Sequence, residues 1–286
     1  MKILVAGASG VIGRSLIPLL VQEGHEVVGL IRNPEQAKKL QEAGASSVQA
    51  DVFDREALFQ ALAEASPEIV IHQLTALQTM DTAANARIRI EGTRNLVDAS
   101  LAAGVRRMIA QSITMTYAPG EGPATEECPL DFEAPEPQLT SVRGVHALET
   151  AVAEMSESVI LRYAVLYGEG TWYAPNGLFA EQARLGELPA AEGVTSFVHT
   201  EDAAAAAVLA LNWTPGIYNI ADSEPAAGTE WVPVYAEALH APAPRIVPGS
   251  GRGERGASNA KALRAGWQPR FASWREGFPA TLQSGE

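Results

Sequence analysis

A chain of 286 residues, 47% of them hydrophobic, can bury a full core as one large domain or one domain with a lobe, which excludes a disordered chain. A formal net charge of -13 disfavours nucleic acid as a partner, because phosphate binding needs clustered Lys and Arg; the single cysteine, Cys128, rules out an intrachain disulfide and suits a reducing cytoplasm. No basic segment followed by an apolar leader opens the chain, and the longest apolar stretch, residues 203–211, is too short to cross a bilayer, so we expect a cytoplasmic protein without membrane contact.

Apolar β-type runs at 2–6, 26–31, 47–51, 69–73, 108–111 and 159–162 alternate with helical patterns at 11–23, 34–43, 54–65, 82–103 and 140–155. That alternation predicts an α/β fold, a Rossmann-type doubly wound parallel sheet with right-handed crossovers and helices on both faces. Asn33-Pro34 and Asp54-x-x-Ala57 mark helix starts, and Gly24, Gly44 and Gly104 mark helix ends. The rhythm breaks at 118–137, where Pro119, Pro123, Pro129, Pro135 and Pro137 predict a long surface loop. It breaks again at 168–193 and from 224 onward. We expect one domain over 1–286, with a core of roughly 1–167 and 194–222 and a small C-terminal substrate lobe of roughly 168–193 and 223–286 over the strand ends. Trp172, Tyr173, Trp213, Trp231, Trp267 and Trp274 are expected to cluster in that lobe.

The sharpest signal is Gly7-Ala8-Ser9-Gly10-Val11-Ile12-Gly13, set between the first strand and the first helix. The chain must turn sharply out of a strand at Gly7. Gly10 lets a pyrophosphate approach the backbone, and Gly13 lets the helix pack on the strand. Amides of the first turn and the positive end of the helix dipole then face the anion, so Gly7, Ser9, Gly10, Val11, Ile12 and Gly13 are candidate dinucleotide contacts.

The second strand ends Leu30-Ile31-Arg32-Asn33, with no acidic residue to hold a ribose 2′-hydroxyl. Arg32 suits a 2′-phosphate instead, with Ser9 and Arg14 as lesser contacts, so NADP(H) is expected over NAD(H). Asp51 and Val52, ending the third strand, lie where adenine would be met.

These residues resemble the extended short-chain dehydrogenase/reductase family, which includes nucleotide-sugar epimerases and dehydratases. The resemblance runs through Asp51-Val52, Val70-Ile71-His72, Glu91-Gly92-Thr93-Arg94-Asn95-Leu96-Val97 and Pro123-Ala124-Thr125-Glu126-Glu127. It continues through Leu161-Arg162-Tyr163, Tyr167-Gly168, Phe197-Val198-His199 with Asp202, and Asn259-x-Lys261 with Gly266-Trp267-x-Pro269. It implies that the backbone beyond the fourth strand passes the cofactor, which adds Leu74 and Thr75 to the expected contacts.

The family's chemistry rests on an Asn, a Ser or Thr, and Tyr-x-x-x-Lys, the tyrosine acting as acid at the substrate oxygen. Carried onto this chain, the four places hold Arg89, Ile113, Ser141 and Val145, and residues 138–149 contain neither Tyr nor Lys. The chain therefore resembles an atypical branch. Thr114 and Tyr117 are the candidate replacement groups; Ser112 shares the Thr114 face, and the family's tyrosine at 117 is usually a pocket wall. His146 is expected as a partly exposed helix residue, His72 as a core histidine with a backbone partner, and Asp202 as a helix N-terminal charge. No metal-ligand spacing and no Gly-x-Ser-x-Gly elbow occurs.

The expected function is an NADP(H)-dependent oxidoreductase acting on a small carbonyl or alcohol compound. The alternatives are a non-redox epimerase, dehydratase or lyase on the same scaffold and an inactive protein sensing NADP(H). By the resemblance, helices containing residues 93–101 and 145–153 offer the face of a possible homodimer.

Overall fold

The apolar runs become strands of one parallel sheet in the computed structural model, which describes residues 1–77 and 80–283. Residues 284–286 of the expected lobe lie outside the described residues. The chain runs β1 (Lys2–Ala6), α1 (Val11–Gln22), β2 (Glu26–Ile31), a 3-10 turn (Pro34–Gln36), α2 (Ala37–Glu42), β3 (Ser46–Gln49), α3 (Arg55–Ala65) and β4 (Ile69–His72). It continues with α4 (Thr82–Arg87), a π-helical turn (Ile88–Gly92), α5 (Thr93–Ala102), β5 (Arg107–Ile113), α6 (Gln138–Val152), β6 (Glu157–Tyr163) and β7 (Val165–Tyr167). The remainder holds α7 (Leu178–Arg184), β8 (Val194–Thr195), β9 (Phe197–His199), α8 (Thr200–Leu209), β10 (Gly216–Ile220), β11 (Ala226–Ala227), α9 (Gly228–Ala238), α10 (Ala260–Arg264) and α11 (Trp274–Gln283).

Seven strands lie in the order β10-β6-β5-β4-β1-β2-β3, every pairing parallel. Strand order reverses beside β1, where Ala6 pairs with Leu30 of β2 and His72 of β4. Open α/β sheets bind ligands at such a switch point, beyond the C-terminal strand ends. Side chains of β1 alternate between two cores, Ile3 and Val5 on one face, Leu4 and Ala6 on the other. No helix among the described residues is long and apolar enough to cross a membrane.

Three features depart from the sequence reading. The pattern over 82–103 is two helices joined by the π-helical turn rather than one helix. The edge strand β10 was not expected. Its Asn219 backbone N–H donates to Glu126 Oε1 at 2.8 Å, so a loop side chain takes the place of a further strand. Trp213 and Trp267 pack in the core beside β1 and α8, whereas Trp231, Trp274 and Tyr173 form a separate apolar cluster with Tyr167, Phe197 and Phe278. Trp267 Nε1 donates to the Asp202 carbonyl, which ties the chain after α10 to α8.

Candidate functional site

The glycine turn has the shape its sequence requires. Gly7 has φ of +93°, and a Cβ there would meet the Gln73 carbonyl oxygen at 2.6 Å. A Cβ on Gly13 would lie 2.4 Å from the Gly7 oxygen, so only glycine lets α1 start this close to β1. Gly10 differs: its Cβ would meet only the Gly7 oxygen, at 3.1 Å, and its other side is open. Gly10 caps α1 with no side-chain hydrogen bond to the first turn. Ser9 is exposed, Val11 half-buried and Ile12 buried, so the turn presents backbone rather than side chain. This cradle fits a dinucleotide's pyrophosphate.

Beside it, a cavity is lined by Leu30, Arg32, Val52, Phe53, Leu74 and Thr75. The structure thus brings together Arg32, Val52, Leu74 and Thr75, residues from the ends of three strands. The Arg32 guanidinium is exposed and makes no hydrogen bond to another described residue. Asp51 Oδ1 is taken by the Phe53 N–H at 2.9 Å, and the wall nearest the cavity is Val52. Arg14 donates to the Gly10 carbonyl at 3.4 Å.

Beyond β4 the site becomes polar. His72 is fully buried; its Nδ1 accepts from the Leu74 N–H at 3.2 Å, so Nε2 carries the proton toward Thr93 Oγ1 at 2.8 Å. Burial and then the nearby Arg89 charge lower its pKa to about 4, which keeps it neutral at pH 7. Its backbone partner is the one expected of a core histidine.

The substitute hydroxyls fare differently. Ser112 Oγ donates to Glu149 Oε1 at 2.7 Å and is buried. Tyr117, 1% exposed, donates its hydroxyl to Asn219 Oδ1 at 2.6 Å and stacks under Arg162, whose Cζ is 4.8 Å from the ring centre. Burial pushes its pKa up to about 12. A sealed phenol with its proton engaged has the surroundings of a pocket wall. Thr114 is freer. Its N–H donates to the Tyr163 carbonyl, while its hydroxyl has, among the described residues, only the Met115 sulfur at 3.6 Å. His146 is exposed and meets the Phe132 ring edge-on. Asp202 does more than charge a helix start: its two oxygens accept the Arg270 and Phe271 backbone N–H groups at 2.6 and 3.1 Å.

The group that sequence reasoning missed is the buried ion pair of Glu149 and Arg162 under this site. Arg162 gives Nε to Oε1 at 2.8 Å and Nη2 to Oε2 at 2.6 Å. The signal was there in one respect, since an arginine inside the apolar run Val159-Ile160-Leu161 must find a partner.

The profile of the NAD dependent epimerase/dehydratase family matches residues 3–221. A 3-diazoavenalumate denitrifying reductase from a Streptomyces species is 42% identical, over 97% of this chain and 99% of that protein. A 2-alkyl-3-oxoalkanoate reductase from Stenotrophomonas maltophilia is 30% identical over 85% of this chain and 77% of its own length. Among solved structures, the UDP-glucose 4-epimerase of Thermus thermophilus in complex with NAD superposes with a TM-score of 0.78 at 27% identity, covering 99% of this chain and 98% of that one. Sheet order, glycine cradle and these similarities agree: the chain belongs to the NAD dependent epimerase/dehydratase family, among the extended short-chain dehydrogenases/reductases, and is an NAD(P)-dependent oxidoreductase.

Proposed function

We propose that this protein is an NADP(H)-dependent reductase of a small organic carboxylate, acting on a group that takes hydride without a proton from the protein. An arenediazonium acid is the substrate class that fits best. The observation that carries this reading is the replacement of the family's acid: Ser141 and Val145 stand at the Tyr and Lys places, and the Ser112 and Tyr117 hydroxyls are engaged by Glu149 and Asn219. When bound, the reduced dinucleotide supplies hydride. Hydride arriving at a ketone builds charge on oxygen and calls for a proton donor. A diazonium group carries its own positive charge and its own leaving group, so R–N2+ plus H– gives R–H and N2 with no proton taken up. The Streptomyces relative, whose name denotes a diazo-bearing carboxylate, supports the class.

In this reading Gly7, Ser9, Gly10, Val11, Ile12 and Gly13 hold the pyrophosphate and Arg32 the 2′-phosphate. Asp51 and Val52 flank the adenine, and Leu74 and Thr75 border the path to the reacting end. Thr114 hydrogen-bonds the substrate. A second reading, a small carbonyl or alcohol substrate, is favoured by the Stenotrophomonas relative; Thr114 or water would then supply the proton. Following NADPH oxidation with a diazonium carboxylate beside a panel of keto acids and aldehydes tests the choice. Preference for the diazonium acid supports the first reading, and preference for the carbonyl compounds replaces it with the second.

A further inference from the structure

We propose that Arg89 is the substrate-binding cation of the site and receives the carboxylate of the substrate, an inference that rests on the reading above for its substrate class. Arg89 lies in the π-helical turn, on the second residue of that turn, at the place where the family has asparagine. Turns of this kind re-aim side chains and recur at functional sites.

The residue is only 3% exposed, yet among the described residues its guanidinium makes no hydrogen bond and no ion pair. Its stem packs against α6: a Cβ on Gly144 would lie 3.2 Å from Ala86 Cα and 3.4 Å from Arg89 Cδ, and the next residue is Val145, where the family's lysine would be. The arginine stem therefore runs beside the stretch of α6 that has lost Tyr-x-x-x-Lys.

Two groups near Arg89 feel its charge, His72 at the end of β4 and Glu149 on α6. Neither pairs with it. His72 is neutral and holds Thr93 and the Leu74 N–H. Glu149 has spent both oxygens on Arg162 and Ser112. Burial lowers the Arg89 pKa only to about 10, so it is a cation at neutral pH.

A buried cation is as a rule paired, and a planar guanidinium with free donors matches a carboxylate through two parallel hydrogen bonds. Among the described residues no carboxylate pairs with it. Its place between the end of β4 and α6 puts it at the C-terminal strand ends, where open α/β sheets take ligands.

The test uses cinnamate and cinnamamide as probes, titrated by calorimetry into the protein saturated with NADP+. In the unaltered protein cinnamate should bind about ten- to a hundredfold more tightly than the amide, the range of a charge-assisted hydrogen bond. Arg89→Gln should erase that preference with NADP+ affinity unchanged, and Arg89→Lys should keep only part of it. If the unaltered protein prefers the carboxylate and Arg89→Gln does too, the inference is overturned while the carboxylate reading stands. Equal binding of acid and amide by the unaltered protein overturns both. A parallel loss of NADP+ affinity in Arg89→Gln assigns Arg89 to the cofactor and overturns the inference. Should Arg89→Gln not fold, Arg89→Lys decides alone, and full retention of the preference counts against it.

Discussion

Glu149 on α6 grips Arg162 on β6 with both oxygens, at 2.8 and 2.6 Å, and the same carboxylate receives Ser112 from β5. Three elements meet at one buried acid, directly behind the strand ends that form the site. Arg162 is 4% exposed and Glu149 8%, so removing one partner strands a charge out of water. Glu149→Ala should cost about 3–5 kcal/mol in urea unfolding. The double variant Glu149→Leu/Arg162→Met should recover most of that loss, since a well-packed apolar pair replaces a buried ion pair at little cost. A double variant as unstable as the single one would show that packing, not charge, sets the effect.

The glycine turn yields a contrast between two positions. Gly10→Ala meets only the Gly7 oxygen, at 3.1 Å, so thermal stability should change by about 1 kcal/mol or less while dinucleotide binding falls at least about tenfold. Gly13→Ala drives its methyl to 2.4 Å from the same oxygen and should lower the melting temperature clearly. Calorimetric titration with NADP+ and a thermal scan separate the two effects.

Cofactor choice turns on Arg32. Its guanidinium at the cavity rim is free to pair with a 2′-phosphate, and the second strand ends without a carboxylate. NADP(H) should bind more tightly than NAD(H), and Arg32→Ala should remove most of the difference, about ten- to a hundredfold. Equal affinities in the unaltered protein would contradict this.

The positions legible in the sequence were those with a local steric or charge requirement. Gly7, Gly10 and Gly13 each answer a demand within seven residues, and the structure gives Gly7 the positive φ that demand implies. Arg162 and Glu149 are 13 residues apart, and only the packing of α6 across β5 and β6 joins them. The break at Ile88–Gly92 leaves little local mark: only Gly92 in it is a poor helix former, and a single glycine does not tell a π-helical turn from an ordinary helix. β10 is short and carries the buried, polar Asn219, so its alternation is weak. Trp213 and Trp267 were expected to cluster with Trp231 and Trp274, but they pack in a different apolar core. The bond of Tyr117 to Asn219, 102 residues away, had no mark in the local sequence.

Asp222, 1% exposed, accepts the Trp274 N–H at 2.8 Å and the Glu224 N–H at 3.3 Å. Burial nonetheless pushes its carboxyl up to about 7. Between about pH 4 and 7 the folded state holds a proton that the unfolded state has released, so this group's contribution to stability falls as pH rises through that window and levels off above it. Asp222→Asn should flatten that fall by roughly 2 kcal/mol between pH 5 and pH 8, read from urea curves at both. An unchanged pH dependence would show that Asp222 titrates in its ordinary range.

Stoichiometry tests most directly whether hydride is transferred without an acid supplied by the protein. With a diazonium-bearing aryl carboxylate as substrate, one NADPH should be oxidised for each N2 released and each denitrified acid formed. Thr114→Val should leave kcat within about threefold, well short of the hundredfold or more lost with a general acid. NADPH oxidation by keto acids alone, with no N2 from the diazonium acid, would contradict this reading.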